Sequence, residues 1–158
     1  MTNFELAQLN IARMVAPLES PEMSEFVDNL GPINALAEQS PGYIWRLQTE
    51  EGDATALQPF GDDWLVNMSV WADVKSLKNF VYRSAHIEIM RRRREWFVKI
   101  AEAYTVLWWV PKGHIPTIEE AKQWLDQLRV AGPGSEAFSF RNVYPVPESH
   151  QAIAEADC

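Results

Sequence analysis

The chain predicts an α+β fold on a ferredoxin-like β-α-β-β-α-β-α-β plan, with helices packed on one face of the sheet. Three observations lead there. "FELAQLNIA" (Phe4–Ala12) and "WLVNMSVWA" (64–72) are apolar-rich with a period near two, the mark of strands. Phe26, Leu30, Ile33 and Leu36 keep helical spacing in "SPEMSEFVDNLGPINALAEQS". "AYTVLWWVP" is an almost unbroken apolar run, as expected of a strand covered on both faces.

The elements follow in order. The first strand precedes a helix with Ser20 and Ser24 as candidate caps, which Gly31-Pro32 is expected to kink or interrupt because proline lacks the helix donor. "SPGYIWRLQT" reads as a turn and a strand from Tyr43 to Thr49, followed by a polar connection bounded by Gly52 and Gly61. In the next strand Leu65, Asn67, Ser69 and Trp71 point one way, and Trp64, Val66, Met68, Val70 and Ala72 the other. Asp73 opens a helical region, and the apolar strand follows it. Thr117 and Glu120 form a capping box for "TIEEAKQWLDQLRVAG", which stops at Gly132-Pro133. "AFSFRNVYP" is expected to be a closing strand. A sheet face carrying large apolar groups needs a cover, either a second copy or a ligand.

With 158 residues, 47% of them hydrophobic, one domain over residues 1–145 and a tail over 146–158 are expected. The net charge of −8 argues against a nucleic-acid partner, because phosphate binding needs a basic footprint. Cys158 is the one cysteine, so neither a disulfide framework nor a cysteine metal site is available within one chain. The opening "MTNFELAQLNIARMV" includes Glu5 and lacks a signal-peptide core, and no run nears the ~20 apolar residues of a membrane span. A cytoplasmic protein with no membrane partner is the expectation.

"VNMSVW" (Val66–Trp71), "FVYRSAH" (Phe80–His86), "RRREWF" (Arg92–Phe97), "LWWVPKGHIPTIEEA" (Leu107–Ala121) and "AFSF" (Ala137–Phe140) together resemble a bacterial family catalogued as domain of unknown function 3291. That family is similar to the dimeric α+β barrel group, whose relatives include antibiotic-biosynthesis monooxygenases and haem enzymes. The resemblance implies a homodimer with a pocket in each subunit. It supplies no catalytic set.

Within "FVYRSAHIEIMRRRREWF" four arginines stand in a row. At ~100° per helical residue, Met90, Arg93 and Phe97 fall within about 40° of His86, while Arg91, Arg92 and Arg94 spread over the other faces with Glu88 and Glu95. Pairs from Glu88 to Arg92, Glu88 to Arg91 and Arg91 to Glu95 are in reach, so three arginines form a solvated face. Arg93 sits on the apolar stripe and needs an acceptor. A structural carboxylate or carbonyl, a contact across a dimer boundary, and the anion or carbonyl of a ligand are the alternatives.

His86 is either a hydrogen-bonded core residue or a general acid/base. His114, in a Pro-Gly loop after a strand, is either a loop hydrogen-bonder or part of a binding site. His150 lies in the tail and is assigned no role. Asn67, Ser69 and Trp71 share a strand face that suits a pocket orienting an oxygen-bearing ligand, or else meets solvent or a partner. Met90, Trp109 and His114 complete the candidate substrate-binding set, with His86 and Arg93 as candidate catalytic residues. No histidine–carboxylate spacing suggests a metal. Two functional readings compete. One is a cofactor-free, monooxygenase-like enzyme acting on an apolar or aromatic substrate, with a haem held by His86 or His114 as its cofactor-bearing variant. The other is a non-catalytic dimeric ligand-binding module.

Overall fold

The computed structural model describes residues 3–48, 59–84 and 86–147. Strands β1 (Phe4–Arg13), β2 (Tyr43–Arg46), β3 (Trp64–Trp71) and β4 (Thr105–Pro111) make one antiparallel sheet in the order β2-β3-β1-β4. Helix α1 (Ser24–Gln39) joins the first two strands, and α2 (Val74–Arg83), α3 (His86–Arg91) and α4 (Arg93–Trp96) join the last two. This is the ferredoxin-like plan, extended by α5 (Ile118–Ala131).

Strand alternation divides the sheet into two chemically different faces. Ala7, Leu9 and Ile11 of β1, Val66, Met68 and Val70 of β3, and Val106, Trp108 and Val110 of β4 form one buried apolar cluster with Ala121, Leu125 and Leu128 of α5. Each valine, leucine, isoleucine or methionine among them contributes roughly 1.5–3 kcal/mol when fully buried. The opposite face is mixed. Its rows, set by the β1 register, are Leu6 with Trp71 and Trp109, Gln8 with Ser69 and Leu107, and Asn10 with Asn67 and Thr105. Leu6, Trp71 and Leu107 pack there with Ala37 of α1 and Leu77 of α2. Helices therefore cover both faces rather than the one expected, because α5 swings round to the apolar side.

Other expectations are corrected locally. Helix α1 runs unbroken through Pro32. Asp28, Gly31 and Pro32 are all exposed, so water can satisfy the Asp28 carbonyl that the proline leaves without a donor. Neither serine caps α1 through its side chain: Ser20 Oγ donates to the Pro17 carbonyl and Ser24 Oγ to that of Pro21. Of the capping box only half forms, with Thr117 Oγ1 accepting from the Glu120 amide at 3.1 Å. The closing strand reduces to one bridge, Phe138 against Leu107. Asp73 does cap α2, accepting from the Ser76 amide at 2.8 Å. The Tyr43 strand ends at Arg46, and its expected last residue, Thr49, lies outside the described residues, as do Gly52, His150 and Cys158.

Gly42 fixes the turn into β2. Its φ is +85°, its carbonyl accepts from the Ala72 amide at 2.7 Å, and an added Cβ would run into the Ser76 side chain. Gly42→Ala therefore combines left-handed strain with overpacking. It should lower unfolding free energy by about 2–4 kcal/mol in a urea titration, and an unchanged midpoint would refute this account of the turn.

Candidate functional site

On the mixed face the sheet and its covering helices stand apart, leaving a partly open cavity of about 810 Å³ between them. Its floor is the sheet: Gln8 and Asn10 of β1, Asn67, Ser69 and Trp71 of β3, and Thr105 of β4. Its apolar walls come from Phe26, Leu30 and Ile33 of α1, Phe80 and Val81 of α2, and Ile89 and Met90 of α3.

The floor hydrogen-bonds to itself. The Gln8 amide nitrogen donates to Asn67 Oδ1 at 2.7 Å and to Ser69 Oγ at 2.8 Å. Trp71 Nε1 also donates to Ser69 Oγ, at 2.9 Å. Asn10 Nδ2 donates to Thr105 Oγ1 at 2.7 Å. These bonds decide what remains for a ligand. Ser69 Oγ and Thr105 Oγ1 act here as acceptors, so each keeps a hydroxyl hydrogen, and Asn67, used through its oxygen, keeps its NH2 donors. The acceptors left over are the side-chain oxygens of Gln8 and Asn10. A donor-rich floor beneath apolar walls suits an organic molecule carrying one or more oxygens. Trp71, only 1% exposed, is fixed by a stacked Phe80 at 5.2 Å and an edge-on Tyr43 at 5.6 Å.

His86 begins α3 and lines the cavity. Its amide donates to Ser84 Oγ at 3.1 Å, and that hydroxyl donates to the Phe80 carbonyl. The imidazole packs on Phe80, with ring centroids 5.0 Å apart, and its Nδ1 lies 3.3 Å from the Val81 carbonyl. A carbonyl can only accept, so in the neutral ring Nδ1 holds the proton and Nε2 has the lone pair. Burial pushes the pKa of His86 below the ordinary 6.5, partly offset by the Val81 carbonyl.

The arginine run is divided by a backbone break. Arg92 separates α3 from α4 with φ −97° and ψ 5°, so one continuous helical phase does not span the segment. The expected division of labour nevertheless holds. Arg91 pairs with Glu88 at 2.7 Å, and Arg92 pairs with Glu95 at 2.9 Å and Glu25 at 2.8 Å while lying over Trp96. The Glu88–Arg92 and Arg91–Glu95 pairs do not form; the break rephases Arg92 towards Glu95. Arg93 lines the cavity with its guanidinium 4.6 Å above the Tyr104 ring. Among the described residues no carboxylate or carbonyl bonds to that guanidinium.

Six of the eight candidate residues are thus brought to one cavity: His86, Arg93, Asn67, Ser69, Trp71 and Met90. Trp109 and His114 are not. Trp109 Nε1 donates to the Tyr144 carbonyl at 3.1 Å, and its ring lies against Phe138. His114 Nε2 lies 2.7 Å from Glu120 Oε1, and Glu120 Oε2 accepts from Trp108 Nε1 at 2.8 Å. His114 therefore anchors the start of α5, and of the two histidines considered as haem ligands only His86 borders the cavity. Gln8, Asn10, Tyr104 and Thr105 were not singled out from sequence. The signal for the first two was available as polar residues two apart within the apolar run Leu6–Ala12, the same pattern as Asn67 and Ser69. Among the described residues no group of three or more His, Cys, Asp or Glu could hold a metal ion, and no helix is long and apolar enough to cross a membrane.

A histidine held neutral by burial binds fewer protons folded than unfolded. Stability then rises with pH between its depressed value and 6.5, and is lost as pH falls through that interval. Urea titrations at several pH values should show a shallower acid loss for His86→Gln than for the parent protein below pH 6.5. Identical slopes would mean that His86 is no more buried than it is in the unfolded chain.

No curated protein matches the sequence. Among solved structures, the NE2512 protein of unknown function from Nitrosomonas europaea aligns at 13% identity and a TM-score of 0.45, over 73% of this chain and 95% of its own. Two structures of SnoaB, a cofactor-independent oxygenase from Streptomyces nogalater, align at 13% and 15% identity, both with TM-scores of 0.43. They cover 73% and 72% of this chain, and 100% and 96% of their own. Likeness at this level carries no residue role to this chain. The family model is another matter: it matches residues 5–155, nearly the whole sequence, and the chain belongs to the family described as a domain of unknown function, DUF3291.

Proposed function

We propose that the protein is a small-molecule enzyme, cofactor-free and monooxygenase-like, acting on an apolar or aromatic organic substrate in the cavity. The observation that carries this reading is the placement of His86, a partly buried imidazole whose Nδ1 faces the Val81 carbonyl, leaving its Nε2 lone pair available at the edge of a cavity floored by hydrogen-bond donors. A base of this kind removes a proton from an acidic C–H. The negative charge that develops on the substrate oxygen is held by the Asn67 amide and the Arg93 guanidinium, in a site with largely apolar walls. The substrate carbanion then supplies the electrons to dioxygen. The resulting peroxide loses water, so that overall a CH2 group and dioxygen become a carbonyl and water. Ser69 is a positioning residue in this scheme, fixing Trp71 and Gln8 beneath the substrate.

Oxygen uptake tests the reading, with enolisable aromatic ketones, dibenzoylmethane first, as probes. The parent protein should accelerate uptake, and His86→Ala should lose about 100-fold while still quenching tryptophan fluorescence on binding the probe. Binding without uptake in both forms would instead identify a non-catalytic binding module.

The same reading takes the working form as a cytoplasmic homodimer. Its support is that Trp45, Leu47, Phe60 and Trp64 remain only partly buried at the margin of the apolar face. Sedimentation should give twice the chain mass, and a single-chain mass at micromolar concentration would overturn it.

A further inference from the structure

We infer that the ligand of this cavity is an organic anion, with a carboxylate- or sulfonate-type oxyanion on an apolar body. The inference rests on the cavity reading above and names its ligand class. The chain carries a net charge of −8, yet among the described residues the cavity is bordered by three arginines, Arg46, Arg93 and Arg141, and one carboxylate, Glu102. Two of these four are already engaged: Arg46 with Glu38 at 3.3 Å, and Glu102 with Arg129 at 3.9 Å. Arg93 and Arg141 have no ion pair or side-chain hydrogen bond among the described residues. The charge left for a ligand is thus cationic at two points, against the sign of the whole molecule.

The surroundings of Arg93 strengthen the assignment. Its neighbours Arg91 and Arg92 have both found carboxylates, whereas Arg93 is half-buried with its guanidinium over the Tyr104 ring. An aromatic face steadies a guanidinium but leaves its N–H fork unused, and that fork fits two oxygens of one anion. The floor offers the hydroxyl hydrogens of Ser69 and Thr105 and the NH2 of Asn67, all donors, to an oxyanion lying beneath the arginine. Phe26, Leu30 and Ile33 of α1 take the apolar body.

A matched pair of fluorescent probes tests this: 8-anilinonaphthalene-1-sulfonate and N-phenyl-1-naphthylamine, which share a skeleton and differ by the sulfonate. The parent protein should bind the anion about tenfold more tightly than the neutral probe, as expected of one charge-assisted hydrogen-bonded contact. Arg93→Gln should remove that advantage while leaving neutral-probe affinity unchanged, which also reports that the variant is folded. Should Arg93→Gln lose both probes and its circular dichroism, exposed Arg141→Gln serves in its place, with a loss of about threefold expected at a solvated cation. Equal affinity of the parent for the two probes would overturn the anion assignment and leave the cavity reading standing. So would anion affinity unchanged by the folded variants. Binding of neither probe would remove the cavity reading, and this inference with it.

Discussion

Polar side chains buried on a sheet face must satisfy one another, and the structure on that side follows from how Gln8 does so. Its carboxamide nitrogen bridges Asn67 and Ser69 across the β1–β3 seam, and the indole of Trp71 closes on the same serine oxygen. An unpartnered amide here would cost roughly 1–3 kcal/mol. With the bonds made, the strip is stable but not greasy, and an apolar helix laid flat on it would gain little. The covering helices instead find their apolar contacts at its two ends. Ala37 and Leu77 pack on Leu6 and Trp71 at one end, and Phe26 and Ile89 pack near Trp96 and Phe97 at the other. The space between is the cavity.

The opposite face shows the same sheet without that constraint. From Ala7 to Ile11 of β1, Val66 to Val70 of β3 and Val106 to Val110 of β4, the side chains turned this way are apolar, and α5 lies upon them, while Glu5 at the strand end accepts from the Gly113 amide. Glu120 secures its first turn through both carboxylate oxygens, one on Trp108 Nε1 and one on His114 Nε2. One face thus carries a close-packed core while the other keeps a hole.

Much of this was legible in the sequence, for identifiable reasons. The faces of β3 follow from strict alternation: Val66, Met68 and Val70 join the core beneath α5, while Asn67, Ser69 and Trp71 border the cavity. The inward turn of Arg93 was legible because a charged residue on an apolar stripe is conspicuous. What was not legible depended on competition between partners. Thr117 and Glu120 spell a capping box, but a carboxylate near an indole N–H and an imidazole makes two bonds there instead of one to a backbone amide. Trp109 and Trp108 are adjacent aromatics on one strand. Alternation separates their faces but does not reveal that the Tyr144 carbonyl claims the indole of Trp109. The route of the chain after α5, which leaves one bridge in place of a strand, carries no periodic signal at all.

The break at Arg92 joins these observations. A single helix from Val74 to Trp96 would keep one stripe against the sheet and would have to follow its flat, polar strip. Two interruptions, at Ser84 and at Arg92, let the segment turn instead. Ser84 makes the first tolerable by accepting from the His86 amide while donating to the Phe80 carbonyl, so the helix end is satisfied where the imidazole emerges. The second is held from outside, where Arg92 bonds Glu95 on its own turn and Glu25 on α1. With Arg92 anchored outward, the next side chain is turned over the Tyr104 ring at the cavity wall. The adjacent arginines therefore form one device: the ion pairs of the outer one orient the inner one, whose own charge meets no carboxylate among the described residues.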